Sequence, residues 1–362
     1  MGWKKKLSAI ALGVSLALGT PTPAQAASDF IPSAVAILLK GAELNAQISS
    51  DVKYLNNTNQ GQQKIYQDAR EKFGVNEDPE YNAQLDKIMA NLTHGVAAVD
   101  PTIKDKPYVH FVSAQKELNA GCFMGHVMMV NAGTFEVIKN EDEIAAIVGH
   151  EMGHGQKDHV AKGSKKNLQK QVIAALAGQA VGGGALTNII TQIALNQSVA
   201  HGSRKFETEA DLLGFEYMVH THYNPGACAA VMQKFVELSI GLKQSGTEKF
   251  FIPSDHPDSE KRRDNYVKKL FEYSGKHVTA KDGVVIVNNK NLIKVASSST
   301  MSSAERSYFI LGNLAVAYHK KQDKHNATVQ NGVVMLGNQP IIEPLDGDED
   351  AQTIADRLNA IK

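Results

Sequence analysis

Along most of the first 270 residues the apolar positions recur with the three- and four-residue spacing of amphipathic helices. Val35, Leu38, Leu39, Ala42, Leu44 and Ile48 form one such stripe, and Tyr54, Ile65, Tyr66 and Ala69 continue it to about residue 75. Asn76-Glu77-Asp78-Pro79 reads as a turn and helix start, followed by the stripe Tyr81, Leu85, Ile88, Met89 and Leu92. The period then changes. Tyr108 to Ser113 alternates like a strand, and Gly125 to Val130 reads as a second strand closed by an Asn131-Ala132-Gly133 turn. A helix is predicted from Asn140, a plausible N-cap, with Glu143 three residues on in the place of a capping-box partner. Glu141 and Asp142 put negative charge at its positive end, and Ile144, Ile147, Val148 and Met152 give it a buried side. Lys157 to Lys170 reads as a polar connection to Ala/Gly-rich helices over 171–199, which Gly182-Gly183-Gly184 interrupts. Further helices are expected from Ser203, over 227–242 after the Asn224-Pro225-Gly226 turn, and over 259–270, with 250–257 a loop.

Beyond residue 275 the pattern changes character. Asp282-Gly283-Val284-Val285-Ile286-Val287 and Asn331-Gly332-Val333-Val334-Met335-Leu336 resemble each other. Each leads to a second short apolar run (Leu292-Ile293, Ile341-Ile342) and then a helical stretch, 303–320 and 349–361. Two hairpin-plus-helix units are expected, either an internal duplication or a chance recurrence of short strands. The fold class is thus α+β: a mostly helical domain with a small sheet over 27–275, plus a small α/β module over 276–362.

The N-terminus reads as a leader. Lys4, Lys5 and Lys6 precede the apolar run Leu7 to Gly19, Pro21 and Pro23 break it, and Ala24-Gln25-Ala26 fits a cleavage site. Residues 1–26 are expected to be a signal peptide removed after Ala26, which implies a periplasmic or secreted protein. No later stretch reads as membrane-spanning; peripheral association with the envelope stays open. The 38 Lys and Arg balance 38 Asp and Glu, so no nucleic-acid partner is expected. Cys122 and Cys228 either pair or remain buried thiols, and nothing in the sequence fixes the oligomeric state.

The chemistry sits in His150-Glu151-Met152-Gly153-His154, an H-E-x-x-H run on the predicted helix. Two imidazoles at i and i+4 share a helix face and can bind one tetrahedral ion, while Glu151 reaches a water on it. Zinc, one per chain, is the expected cofactor. A third donor is needed, and Glu207 and Asp211 lie at i and i+4 on a later helix: one could bind metal while the other orients a ligand histidine. The histidine six residues after the second, which another zinc class uses, is absent, since Val160 stands there. His159 is half a turn out of phase with His150 and reads as a helix C-terminal cap.

Together, His150 to His154 with His159, Ser203-Arg204-x-x-Glu207-x-x-Ala210-Asp211, and His256-Pro257 with Arg262 resemble the HtpX and CAAX-prenyl-protease family of zinc metallopeptidases. The exported character is similar to the periplasmic branch typified by the β-barrel assembly-enhancing protease. The likeness covers roughly residues 75–270. It implies His150, His154 and Glu207 as zinc ligands, Glu151 as general base, and Asp211 as a carboxylate behind a ligand histidine. It also implies His256 and Arg262 as catalytic neighbours, one of them a donor to the oxyanion or His256 an occupant of the open zinc position. Asn119-Ala120, Gly125 and Val130 resemble the family's strand before the active helix, although Gly121-Cys122-Phe123-Met124-Gly125 departs from its usual proline and paired glycines. The strand Gly125, His126, Val127, Met128, Met129 and Val130 is expected to take an extended substrate as an added edge strand. Protein or peptide substrates follow, with quality control of envelope proteins as the expected biology. Rival readings are a protease fold used as a chaperone or binding module with a self-inhibited metal, and a C-terminal module that recruits a partner.

Overall fold

The computed structural model describes residues 41–177, 195, 203–245 and 258–362. The leader with its cleavage site after Ala26, the Gly182–Gly184 break and the 250–257 loop lie outside the described residues.

The architecture is α+β and mostly helical. Helix α1 covers residues 41–57, and α2 (Asn59–Phe73) and α3 (Pro79–Val99) follow. Thr58 caps α2, and Asp78 caps α3 with Pro79 in its first turn, where a missing N–H costs nothing. A three-stranded sheet comes next, made of β1 (Val109–Ser113), β2 (Ala120–Phe123) and β3 (Val127–Asn131). Then come the short α4 (Ala132–Val137), α5 (Glu141–Gln156), α6 (His159–Ala177), α7 (Arg204–Val219), α8 (Ala227–Ser245) and α9 (Ser259–Tyr273). Two expectations are corrected here, and one strand is added. Ala132-Gly133 opens a helix instead of a turn, the stretch expected as a polar connection begins α6, and Ala120–Phe123 forms a strand that its composition did not announce.

The sheet order is β1-β3-β2, with β3 parallel to β1 and antiparallel to β2. Its two faces enter different apolar clusters. Val112, Cys122, Met128 and Val130 pack with α3, α5 and α8, whereas Phe111, Phe123, Val127 and Met129 pack with α1, α2 and α6. A sheet covered on both faces needs no polar alternation, which explains the unbroken apolar run of β3.

The C-terminal module consists of two β-β-β-α units. The first is β4 (Val278–Lys281), β5 (Val284–Val287), β6 (Lys290–Lys294) and α10 (Ser303–His319). The second is β7 (Ala327–Gln330), β8 (Val333–Leu336), β9 (Gln339–Ile342) and α11 (Ala351–Ile361). Each strand start recurs 49 positions later (278 and 327, 284 and 333, 290 and 339), and so does the register irregularity, at Val285/Ile286 and Val334/Met335. The glycine turns also match, with Asp282-Gly283 and Asn331-Gly332 both at positive φ. This shared irregular detail favours duplication over chance recurrence. The units interlock: α10 packs on β9 and α11 on β6. The module also packs on α8 and α9, and one continuous apolar cluster runs from Leu85 in α3 to Leu358 in α11.

Candidate metal centre

Helix α5 is fixed at both ends. Asn140 Oδ1 accepts from the backbone N–H groups of Asp142 and Glu143, as a cap should. The expected capping box does not close, because Glu143 turns inward, fully buried, with Lys234 Nζ 3.3 Å from its carboxylate. At the far end the ring nitrogens of His126 lie 2.7 Å from the Lys106 carbonyl oxygen and 3.1 Å from that of Gly155, one of which accepts from the neutral ring's single N–H, and burial lowers its pKa to about 4. Every residue from Val148 to Gly155 is buried.

Helix α7 crosses α5 closely because small residues meet there. A Cβ on Gly153 would lie 2.9 Å from the Ala210 carbonyl oxygen, and one on Gly214 would lie 3.0 Å from the His150 nitrogen. This contact brings Glu207 over the two histidines. His150 Nε2 and His154 Nε2 are 3.2 Å apart. Glu207 Oε1 is 3.2 Å from His154 Nε2, and Glu207 Oε2 is 3.6 Å from His150 Nε2. Zinc bonds of about 2.0–2.1 Å in a tetrahedron put neighbouring donors about 3.3 Å apart, so this donor set fits the ion. Among the described residues this is the group of His, Cys, Asp and Glu close enough to share a metal. Glu151 lies beside it, with Oε1 4.0 Å from His150 Nε2 and Oε2 accepting from the Cys122 backbone N–H at 3.3 Å.

The two histidines of this group are themselves held. With Nε2 facing the metal position, the His150 Nδ1–H donates to Asp211 Oδ1 at 2.9 Å. Asp211 also accepts from Arg262 Nε and Nη2 (2.7 Å at the shortest) and from the Tyr266 hydroxyl at 2.7 Å. Burial alone would raise the Asp211 carboxyl, but the Arg262 guanidinium and His150 outweigh it and hold it well below the usual carboxylate range. The resemblance implied His256 or Arg262 as a donor to the oxyanion. The structure commits the Nε and Nη2 of Arg262 to Asp211 and leaves Nη1 3.8 Å from Glu207.

His159 is corrected too. It does not cap α5 but opens α6, fully buried, with its Nδ1 3.0 Å from His154 Nδ1. Its Nε2 donates to Glu209 Oε2 at 3.2 Å, and its ring stacks on Phe206. His154 therefore reaches its supporting carboxylate, Glu209, through an intervening imidazole. Burial lowers the His159 pKa, against the raising effect of Glu209.

The expected substrate strand is the clearest departure. Val127, Met128, Met129 and Val130 lie in the central strand, hydrogen-bonded on both sides, so no peptide can add there. Gly125 and His126 form the preceding turn, where Asn56 and Gln62 already hold Gly125. Among the described residues, the strand next to Glu151 with one partner is β2, and its four residues are buried. His256 lies outside the described residues. Cys122 and Cys228 are free, buried thiols, and burial pushes both pKa values up.

Comparison with known proteins agrees with this geometry. A family model described as "Peptidase family M48" matches residues 79–268, just over half of the chain. The chain belongs to peptidase family M48. The match runs from the start of α3 into α9 and so contains the donor helices and Arg262. Among relatives in family M48 style, the mitochondrial metalloendopeptidase OMA1 of Arabidopsis thaliana is 30% identical over 40% of this chain and 28% of its own length. The putative beta-barrel assembly-enhancing protease of Vibrio cholerae is 27% identical over 46% of this chain and 36% of its own. The metalloprotease LoiP of Escherichia coli is 28% identical over 47% and 66% respectively. The chain thus spans less than two thirds of the length of these relatives.

Proposed function

We propose that this chain is a zinc-dependent metalloendopeptidase with His150, His154 and Glu207 as ligands and Glu151 as general base. The observation that carries this reading is the placement of the Glu151 carboxylate beside three donors spaced for one tetrahedral ion. A zinc ion bound there supplies an acidified water, with a pKa near 7, and positive charge opposite a developing oxyanion.

The protein's own groups do the rest. Glu151 takes the proton from the attacking water and returns it to the leaving amine. The Cys122 N–H holds one Glu151 oxygen and so aims the other. Asp211 keeps His150 in the tautomer that presents Nε2, and Arg262 and Tyr266 keep Asp211 ionised and oriented. Arg262 is thus a positioning residue in this reading, and His256 is the remaining candidate for the oxyanion or the open zinc position. An extended substrate runs along β2, which has one strand partner among the described residues, and backbone recognition there suits unfolded protein segments.

The leader-like N-terminus supports an exported, periplasmic or secreted location for this activity. Among the described residues no helix is long and apolar enough to cross a membrane. Quality control of envelope proteins is consistent with relatives named for β-barrel assembly. The test is casein cleavage by the zinc-loaded protein with and without a chelator. Glu151→Gln should keep the metal and lose about 10²–10⁴-fold in rate; undiminished cleavage in this variant would overturn the assignment.

A further inference from the structure

The end of α5 that carries His154 is held from a part of the chain outside the stretch that matches the family. That match begins at residue 79, whereas Asn56 lies in the last turn of α1 and Gln62 in the first turn of α2. Thr58 stands between the two helices and caps the second. A Cβ on Gly61 would overlap the Tyr54 carbonyl, so a glycine is what lets α2 fold back this tightly on the end of α1. The joint brings Asn56 and Gln62, both buried, to the same turn of the sheet. Asn56 Oδ1 accepts from the Gly125 N–H at 3.1 Å, and Gln62 Nε2 donates to the Gly125 and Pro107 carbonyls. With its oxygen so fixed, the Asn56 amide points its Nδ2 at Asp158 Oδ1, 2.8 Å away.

Asp158 is where these contacts reach the metal centre. It takes φ 51°, a left-handed conformation that side chains adopt at a cost. Its N–H donates to the Gly155 carbonyl at 2.9 Å, so this one residue turns the chain from the end of α5 into the start of α6. The next residue, His159, opens α6 with its Nδ1 3.0 Å from His154 Nδ1. The imidazole is rigid, so a shift of His159 against His154 is passed to the nitrogen that faces the proposed zinc. Lys106 Nζ meets the same Asp158 oxygen at 2.9 Å, but from a partly exposed, flexible stem, where an ion pair contributes little. Asn56 is the buried and directional partner of the two.

We propose that Asn56 is a positioning residue of the metal centre, acting through Asp158 to set where His159 meets His154. The proposal rests on the zinc reading above and extends that centre's supports to the α1–α2 hairpin.

The experiment measures the zinc affinity of the full chain by chelator competition. Asn56→Asp keeps an oxygen for the Gly125 N–H, removes the N–H given to Asp158 and sets a second carboxylate beside it. It should weaken zinc binding by about three- to tenfold, below the roughly 10–100-fold of a group that touches a metal-binding histidine directly. Asn56→Ala should cost at least as much. In a His159→Phe background Asn56→Asp should add less than about twofold, because both changes act on one path. The visible bands of the cobalt-loaded protein, which follow donor geometry, should move in Asn56→Asp. Leu358→Ala, a buried change in α11, should lower Tm while affinity and bands stay in place. Affinity or bands unmoved in both Asn56 variants, losses that add to that of His159→Phe, or an equal loss in Leu358→Ala overturns the positioning role alone. A wild-type chain that binds no zinc overturns the metal reading and this role with it.

Discussion

At the scale of single residues, the two histidines proposed as ligands are supported differently. His150 meets its carboxylate, Asp211, directly, while His154 reaches Glu209 through His159. Removing such a support typically costs about 10–100-fold in metal affinity. Asp211→Asn and His159→Phe should each weaken zinc binding by about that factor in a chelator competition, with the fold retained. Affinity unchanged in His159→Phe would reduce that residue to packing. The histidine pair was legible in the sequence because i, i+4 spacing fixes a helix face without tertiary information, whereas Glu207 and Asp211 stayed alternatives until the family resemblance chose between them. His159 was not. Counting 3.6 residues per turn from His150 assumes one continuous helix, but the chain breaks at Lys157-Asp158. Asp158 takes φ 51° there, its carboxylate held by Asn56 and Lys106, and the phase is reset. Tyr266 was invisible for a related reason, since only the packing of α9 on α8 and α10 carries it to Asp211 of α7.

At the scale of elements, the centre depends on how closely α5 and α7 cross. Gly153→Ala would drive a methyl to 2.9–3.0 Å from the Ala210 backbone, which the helices can relieve only by separating. Overpacking of this kind costs about 1–3 kcal/mol. The expected outcome is a lower Tm together with zinc affinity reduced by more than the Tm loss would suggest, read by melting and by chelator competition. An unaffected metal affinity would show that the crossing has slack. The helix starts could be read in advance, because Asp78, Asn140 and Ser203 stand where apolar periodicity begins, although Ser203 makes no side-chain cap bond. Strand roles could not. The apolar run Val127 to Val130 says that both faces are covered, but not which edges are paired, and pairing decides where a substrate can bind. Strand β2, Ala-Gly-Cys-Phe, carries no β-branched residue and so gave little signal of its own.

At the scale of the whole molecule, the C-terminal module is part of the core and not a tethered appendage. Asn224, in the turn before α8, donates to the Phe309 carbonyl of α10, and the backbones of Gly226 and Gly312 meet beside it. Deleting 276–362 is therefore expected to abolish cooperative folding of the peptidase part; a truncated chain that melts like the intact one would contradict this. The same interface holds Lys234 between Glu143 of α5 and Glu305 of α10, at 3.3 and 3.4 Å, with Glu237 and Asp142 nearby. Burial raises Glu143 to about 7 against the pull of Lys234, and it raises Glu305 as well. The folded state therefore keeps protons that the unfolded chain releases above its ordinary carboxylate pKa. Stability contributed by Glu143 is present in full at acid pH and is lost as pH rises from about 4.5 to about 7. Glu143→Gln should flatten the fall in Tm across that window, while an unchanged slope would remove the cluster from the account. The repeated units were legible as Gly-Val-Val hairpins, but their first strands and their interlocking were not, because each sheet is completed by residues the hairpin motif does not contain. The central claim is that two histidines of α5 and one glutamate of α7 grip a single zinc ion, and elemental analysis of the purified protein tests it most directly. The account predicts one zinc per chain in the wild type and in Glu209→Ala, and none in Glu207→Ala; zinc retained by Glu207→Ala but lost from Glu209→Ala would contradict it.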